Sequence, residues 1–174
     1  FLQYVYIQRV QEIDSFLTQL RSHYFRASNY WPRLREIWDD SKTHCRYFGK
    51  DLETRDKNLS EIFSKFPETR SSFMTKTELQ KLKDLPKTVI VYRGGQQSNI
   101  AGWSWTLDKS AAERFGSANA SDKRPLLATV AGLSAGAILA LIENQDCDEL
   151  IIDPLMITLE TAEFADIIFE RIVT

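Results

Sequence analysis

Three groups of residues in the second half of the chain have types and spacing that could do chemistry. Arg93 ends the apolar run Val89-Ile90-Val91-Tyr92 and is followed by Gly94-Gly95. A guanidinium grips phosphate oxygens through paired, charge-assisted hydrogen bonds, and glycines beside it let a ligand approach the backbone closely. Ser104 and Thr106 lie two residues apart, so on a strand their hydroxyls share one face while Trp103 and Trp105 take the other. Glu149 opens the run Glu149-Leu150-Ile151-Ile152. A carboxylate there would bond a ribose hydroxyl and stabilise the positive charge that develops as a glycosidic bond breaks. In chain order, a cation, two hydroxyls and a carboxylate are the parts needed to hold a dinucleotide and open its sugar bond. Each has a plainer use: a surface ion pair for Arg93, a cross-strand ladder for Ser104 and Thr106, a solvated turn for Asp146-Cys147-Asp148-Glu149. Phe115 either fills the core or stacks on a flat ring placed by Arg93 and Gly94.

The elements that must position these residues change character at Pro86. Before it the pattern is helical. Tyr6, Val10, Ile13, Leu17, Leu20 and Tyr24 draw one apolar stripe. Pro32 suits the first turn of a second helix with Leu34, Ile37 and Trp38 on one face. A third helix is expected over 52–66, stopped by Pro67, and Thr75 with Glu78 forms a capping box for a short fourth. Beyond Pro86 lie six of the seven glycines, and the pattern turns to strands. They are expected at 88–92, 101–106, 126–130, 137–142, 149–152, 156–159 and 167–173. One helix, 108–115, is capped by Thr106 or Asp108 and closed by Gly116. The reading is an α+β chain: a helical N-terminal region, 1–87, and a β-rich core of two packed antiparallel sheets, 88–174.

Composition bounds the function classes. The chain has 174 residues, 43% hydrophobic and 26% charged, which suits one globular domain with a helical extension. No run of 18 apolar residues exists, so no membrane span is expected. Phe1 at the start leaves room for a removed leader. Cys45 and Cys147 are too few for a disulfide framework and read as free thiols. His23 and His44 have no metal-ligand spacing with them, and Walker, Gly-x-Gly-x-x-Gly and Gly-x-Ser-x-Gly motifs are absent. Residues 1–88 carry 16 Lys+Arg against 12 Asp+Glu, net +4; residues 89–174 carry 6 against 12, net −6. A basic half hints at an anionic partner, or is simply a solvated helical surface.

Together, Tyr92-Arg93-Gly94, Ser104-Trp105-Thr106 and Cys147-Asp148-Glu149 resemble the motifs of the ADP-ribosyltransferase superfamily, in the branch defined by Arg, Ser-x-Thr/Ser and Glu that includes bacterial and phage toxin-like mono-ADP-ribosyltransferases. The stretch from Gly102 to Phe115 is also similar to bacterial members, which carry a short helix after the second motif. The resemblance covers residues 88–174. It implies a split two-sheet fold around an NAD+ cleft, with NAD+ as substrate and no metal. Arg93 would contact the phosphates or the nicotinamide ribose, Gly94 the carboxamide, and Phe115 the nicotinamide ring. Ser104 and Thr106 would brace the site, and Glu149 would be catalytic. ADP-ribose would pass to a macromolecular acceptor, RNA, DNA or protein, with release of nicotinamide. The chain departs from the arginine-modifying members at Cys147, where they carry a second glutamate. A thiol is a weak hydrogen-bonding group with an ordinary pKa of about 8.5, which argues against an arginine acceptor. Asp148 or Asp146 would have to substitute on the acceptor side, and strand alternation turns Asp148 away from Glu149. The helical region would then wall the cleft, cover it, or recruit the target, with Tyr24, Tyr30, Trp31 and Trp38 suited to stacking on nucleic-acid bases. An antitoxin or chaperone docked on the N-terminal stripe, and a cytoplasmic location in the producing bacterium or a target cell, are further expectations. An inactive binding module, an NAD+ hydrolase and an unrelated α+β protein are the alternatives.

Overall fold

The computed structural model describes residues 2–40, 47–161 and 166–173; His44 and Cys45 lie outside the described residues. The chain divides into two compact units, Phe1–Thr75 and Lys76–Thr174.

The first unit is helical. Helix α1 spans Leu2–Arg21 and buries Ile13, Phe16, Leu17 and Leu20. The two ends of the expected stripe are not buried: Tyr6 is 43% exposed, and Tyr24, beyond the helix end, is 66% exposed. Helix α2, Ala27–Asp40, begins five residues before Pro32, which lies inside it and not in its first turn. A local cap explains the early start. The Asn29 side chain accepts the Arg26 N–H at 2.9 Å while the Tyr30 N–H bonds the Arg26 carbonyl at 3.1 Å. The carbonyl that Pro32 leaves without its helical donor belongs to Ser28, which is exposed to water. Helix α3, Leu52–Ser64, is capped by Asp51, which accepts the Thr54 N–H at 2.7 Å. It ends two residues earlier than expected. Phe66 takes a left-handed backbone, φ 44°, and hands over to a 3-10 helix, Pro67–Phe73. Trp31, Trp38, Phe63 and Phe73 pack around one another with ring centroids 5.8–6.0 Å apart.

The second unit holds helix α4 (Lys76–Lys83), which starts directly after Thr75, and then β1 (Thr88–Gly95), β2 (Ser104–Trp105), α5 (Lys109–Asn119), β3 (Leu126–Ser134), β4 (Ile138–Ile142), β5 (Glu149–Ile152), α6 (Pro154–Thr161) and β6 (Asp166–Arg171). The strands form two three-stranded antiparallel sheets, ordered β1-β3-β6 and β2-β5-β4. Their facing sides make one core, with Val91, Ala128 and Val130 from the first sheet and Trp105, Leu150 and Ile152 from the second. The fold is therefore α+β: a helical N-terminal half, then two small antiparallel sheets with helices between their strands.

The strand expected over 101–106 shortens to Ser104–Trp105, the one expected over 88–92 runs on to Gly95, and two further expectations fail outright. Residues 156–159, read as a strand, belong to α6. Asp153 accepts the Leu155 N–H at 2.9 Å and its carbonyl takes the Met156 N–H at 2.9 Å, so Asp153-Pro154 starts a helix. Gly116, read as a C-cap, lies inside α5. It is small because β1 passes it closely. A Cβ on Gly116 would stand 3.0 Å from the Gly94 Cα and 3.1 Å from the Gly95 nitrogen.

Candidate functional site

The three motifs meet where the two sheets join. Tyr92 of β1 and Thr106, just past β2, exchange both backbone hydrogen bonds: the Tyr92 N–H donates to Thr106 at 2.8 Å, and the Thr106 N–H donates back at 2.9 Å. Among the described residues, this bridge stitches the first sheet to the second. The register of β2 on β5 sets Ser104 opposite Ile151 and Trp105 opposite Leu150. Carried one residue further, it sets Thr106 opposite Glu149. Side chains directly opposite in an antiparallel pair share a face. Ser104, Thr106, Glu149 and Tyr92 therefore lie on one face, opposite the face that carries Trp105 and Leu150 into the core. Backbone groups alternate too. Since Tyr92 turns its N–H and C=O toward the second sheet, those of Gly94 turn the same way.

Glu149 is 6% exposed, on a strand whose four residues are all buried. Its Oε1 is buried and accepts no hydrogen bond among the described residues, while the residue keeps other interactions. Thr106 is also buried. Its hydroxyl accepts the Asp108 N–H at 3.1 Å, and Asp108 in turn caps α5 by accepting the Ala111 N–H at 3.0 Å. The second motif thus carries the start of α5 as well as the sheet junction. Ala111, Ala112 and Gly116 are the buried residues of that helix. Phe115 is 59% exposed, so it is not a core residue.

Arg93 leaves β1 on the face opposite Tyr92 and folds back. Its guanidinium donates to three backbone carbonyls: Nε to Ile100 at 3.0 Å, Nη1 to Ser104 at 2.7 Å and Nη2 to Asn99 at 3.1 Å. The side chain that read as a phosphate grip thus ties the whole β1–β2 connection to β1. Gly102 makes room for it, since a Cβ there would collide with the guanidinium. The Asn99 side chain accepts the Gln96 N–H at 2.9 Å and closes the start of the same loop.

Ahead of Glu149, Cys147 is a free thiol of intermediate exposure. Asp148 is ion-paired to Lys81 of α4 at 3.1 Å, so it faces α4. Lys81 also holds Glu143 at 2.6 Å, and the buried Glu78 carboxylate accepts the Glu143 N–H at 3.0 Å. Glu78 and Lys81 carried no functional expectation from sequence. The one signal available was that a capping-box glutamate and a lysine three residues on share a helix face.

The helical unit does not present the expected stacking platform. Tyr30 and Trp31 are fully buried and Trp38 is 1% exposed, which leaves Tyr24 exposed. Arg9, Arg21, Arg33 and Arg35 are ion-paired to carboxylates of their own unit. An open polar groove in that unit is lined by Arg21, Lys50, Lys57, Asn58 and four acidic or hydroxyl residues, and by none of the motif residues. Among the described residues no helix is long and apolar enough to cross a membrane, and no group of three His, Cys, Asp or Glu could hold a metal ion. No family model, no curated protein and no solved structure matches the chain.

Proposed function

We propose that the chain is a mono-ADP-ribosyltransferase of the Arg, Ser-x-Thr, Glu type, acting on NAD+. The observation that carries this reading is the junction itself: one bridge, Tyr92 to Thr106, and the register of β2 on β5, Ser104 to Ile151 and Trp105 to Leu150, bring the first two motifs to the strand that Glu149 opens. The N–H and C=O of Gly94, aimed toward the second sheet, would take the nicotinamide carboxamide. Glu149 would bond a hydroxyl of the nicotinamide ribose and stabilise the oxocarbenium-like charge as the C1′–N bond breaks. The bonding electron pair leaves with nicotinamide; the acceptor atom bonds C1′ and gives up its proton. Exposed Phe115 remains available to stack on a ring. Arg93 serves this site by fixing the 99–104 connection.

For the acceptor, burial of Tyr30, Trp31 and Trp38 and the internal pairing of Arg9, Arg21, Arg33 and Arg35 weaken the argument for a nucleic acid. A protein side chain is the better-supported class. With Cys147 at the position of the second glutamate and Asp148 held by Lys81, arginine is disfavoured. A toxin or effector role, and an antitoxin or chaperone to silence it, accompany this proposal.

The test is isotope-labelled NAD+ in a cell lysate with wild type and Glu149→Gln, the label divided into protease-sensitive and nuclease-sensitive pools. The expected result is protein-bound label that falls by about 100-fold or more in the variant. Free ADP-ribose without bound label would make the protein an NAD+ hydrolase. No NAD+ loss in either protein would leave the fold as a binding module.

A further inference from the structure

The six-residue connection 143–148 between β4 and β5 ends at Glu149 and carries Cys147. Helix α4 grips both of its ends. At the first, the Glu143 N–H is taken by Glu78, a carboxylate 1% exposed, at 3.0 Å, and the Glu143 side chain by Lys81 at 2.6 Å. At the last, Asp148 meets the same Lys81 ammonium at 3.1 Å. One cation therefore holds two carboxylates that would otherwise repel each other. The hydrogen bonds that Lys81 donates to Glu143 and then to Asp148 raise its pKa above the usual lysine value, so the ammonium stays charged throughout the neutral range.

We propose that α4 is a latch on the 143–148 connection and that Lys81 is a positioning residue for the acceptor side of the site. The contacts stand on their own geometry; their effect on catalysis rests on the transferase reading. Closed, the connection fixes Cys147, two residues before Glu149 in the chain, and presents one fixed surface to the acceptor. Open, it leaves the NAD+-binding residues of β1 and β2 in place but lets the acceptor surface wander. Water then competes better for C1′, and transfer gives way to hydrolysis. In either reaction the C1′–N bond breaks onto nicotinamide, and the attacking oxygen or other nucleophile loses a proton.

The latch has a readout that needs no enzyme activity. In the full chain carrying Cys45→Ser, Cys147 is the remaining thiol, and its alkylation rate under native conditions reports opening of the connection. Lys81→Ala is expected to raise that rate by about threefold or more, and Lys81→Arg to restore it. Salt at about 1 M should raise the rate in the Lys81 protein and not in Lys81→Ala, because the pairs are exposed enough to be screened. In Glu78→Gln an amide oxygen still accepts the Glu143 N–H, so the rate should stay near wild type; in Glu78→Leu it should rise. An unchanged rate in Lys81→Ala overturns the latch whatever the activity. On the enzyme, Lys81→Ala should keep KM for NAD+ within about twofold and lower the ratio of transfer to hydrolysis. Faster alkylation with an unchanged ratio overturns the positioning role. If the wild type turns over no NAD+, the transferase reading falls, and the thiol rates still decide the latch.

Discussion

At Arg93 three carbonyls converge on one guanidinium, and they do not lie at a single point: Nε, Nη1 and Nη2 each take a different one. A planar fork can serve all three at once, whereas an ammonium is a compact point charge that would keep one of them in good geometry. Hydrogen bonds from a charged donor contribute about 1.5–3 kcal/mol each, less where water reaches them. Arg93→Lys should therefore cost about 1–3 kcal/mol in urea unfolding. Gly102→Ala should cost a similar amount by pushing a methyl into the guanidinium. If both act through the same contact, the double variant must be less destabilised than the sum of the two. Additive losses would mean that Arg93 does not hold the connection in solution. The sequence placed this arginine on the first strand, but β1 runs two residues past it to Gly95, and its carbonyl partners could not be read. Any backbone offers carbonyls, and only the path of 99–104 brings three of them within reach.

Between elements, the tightest approach is α5 on β1. A Cβ on Gly94 would run into the Ala112 carbonyl oxygen and stand 2.6 Å from the Gly116 nitrogen, so the two backbones are separated by little more than the glycines' own width. Gly94→Ala should cost about 2 kcal/mol or more, although alanine loses less backbone entropy than glycine on folding. Gly116→Ala would stabilise an ordinary helix interior by about 1 kcal/mol. Here that gain should vanish, because backbone atoms of β1 lie 3.0–3.1 Å from the added carbon. Equilibrium urea unfolding of both variants checks this; a stabilised Gly116→Ala would show that α5 rides higher on β1. The same pair shows what was legible. The strands β1 and β5 were readable because 88–92 and 150–152 are runs of β-branched, aliphatic or aromatic residues. The start of α5 was readable because Asp108 caps it. A glycine that ends a helix and one that admits a neighbouring strand look alike in sequence, so Gly116 was misread. The apolar run at 155–157 fits strand or helix equally, and the deciding signal was Asp153-Pro154 in front of it. The ion pair from Lys81 to Asp148 spans 67 residues and had no local trace.

Across the whole chain, the two units are stabilised in different ways, and alkaline pH should tell them apart. The sheet unit has a mainly aliphatic core with Trp105 set into it, whereas the helical unit is built on clustered aromatic rings with an ionisable one at the centre. Tyr30 is fully buried, donates its hydroxyl to the Ile62 carbonyl at 2.9 Å and packs edge-on to Trp31 and Phe25. Burial first, and the charge of Glu61 second, raise its pKa well above the ordinary tyrosine value. An unfolded Tyr30 would ionise near pH 10, while the folded one stays protonated. Above that pH the unfolded state binds fewer protons than the folded state, so stability is full below about pH 10 and falls as pH rises toward the folded pKa. Urea unfolding followed by near-UV circular dichroism should therefore show stability falling between about pH 10 and pH 12. Tyr30→Phe should lose about 1 kcal/mol at neutral pH, since the Ile62 carbonyl still takes the Lys65 N–H at 3.3 Å. The variant should then be less sensitive to alkali than wild type, and the two stability curves should converge as pH rises. Parallel curves for the two proteins would place the alkaline weakness in some other group and show that water reaches Tyr30 in the folded chain.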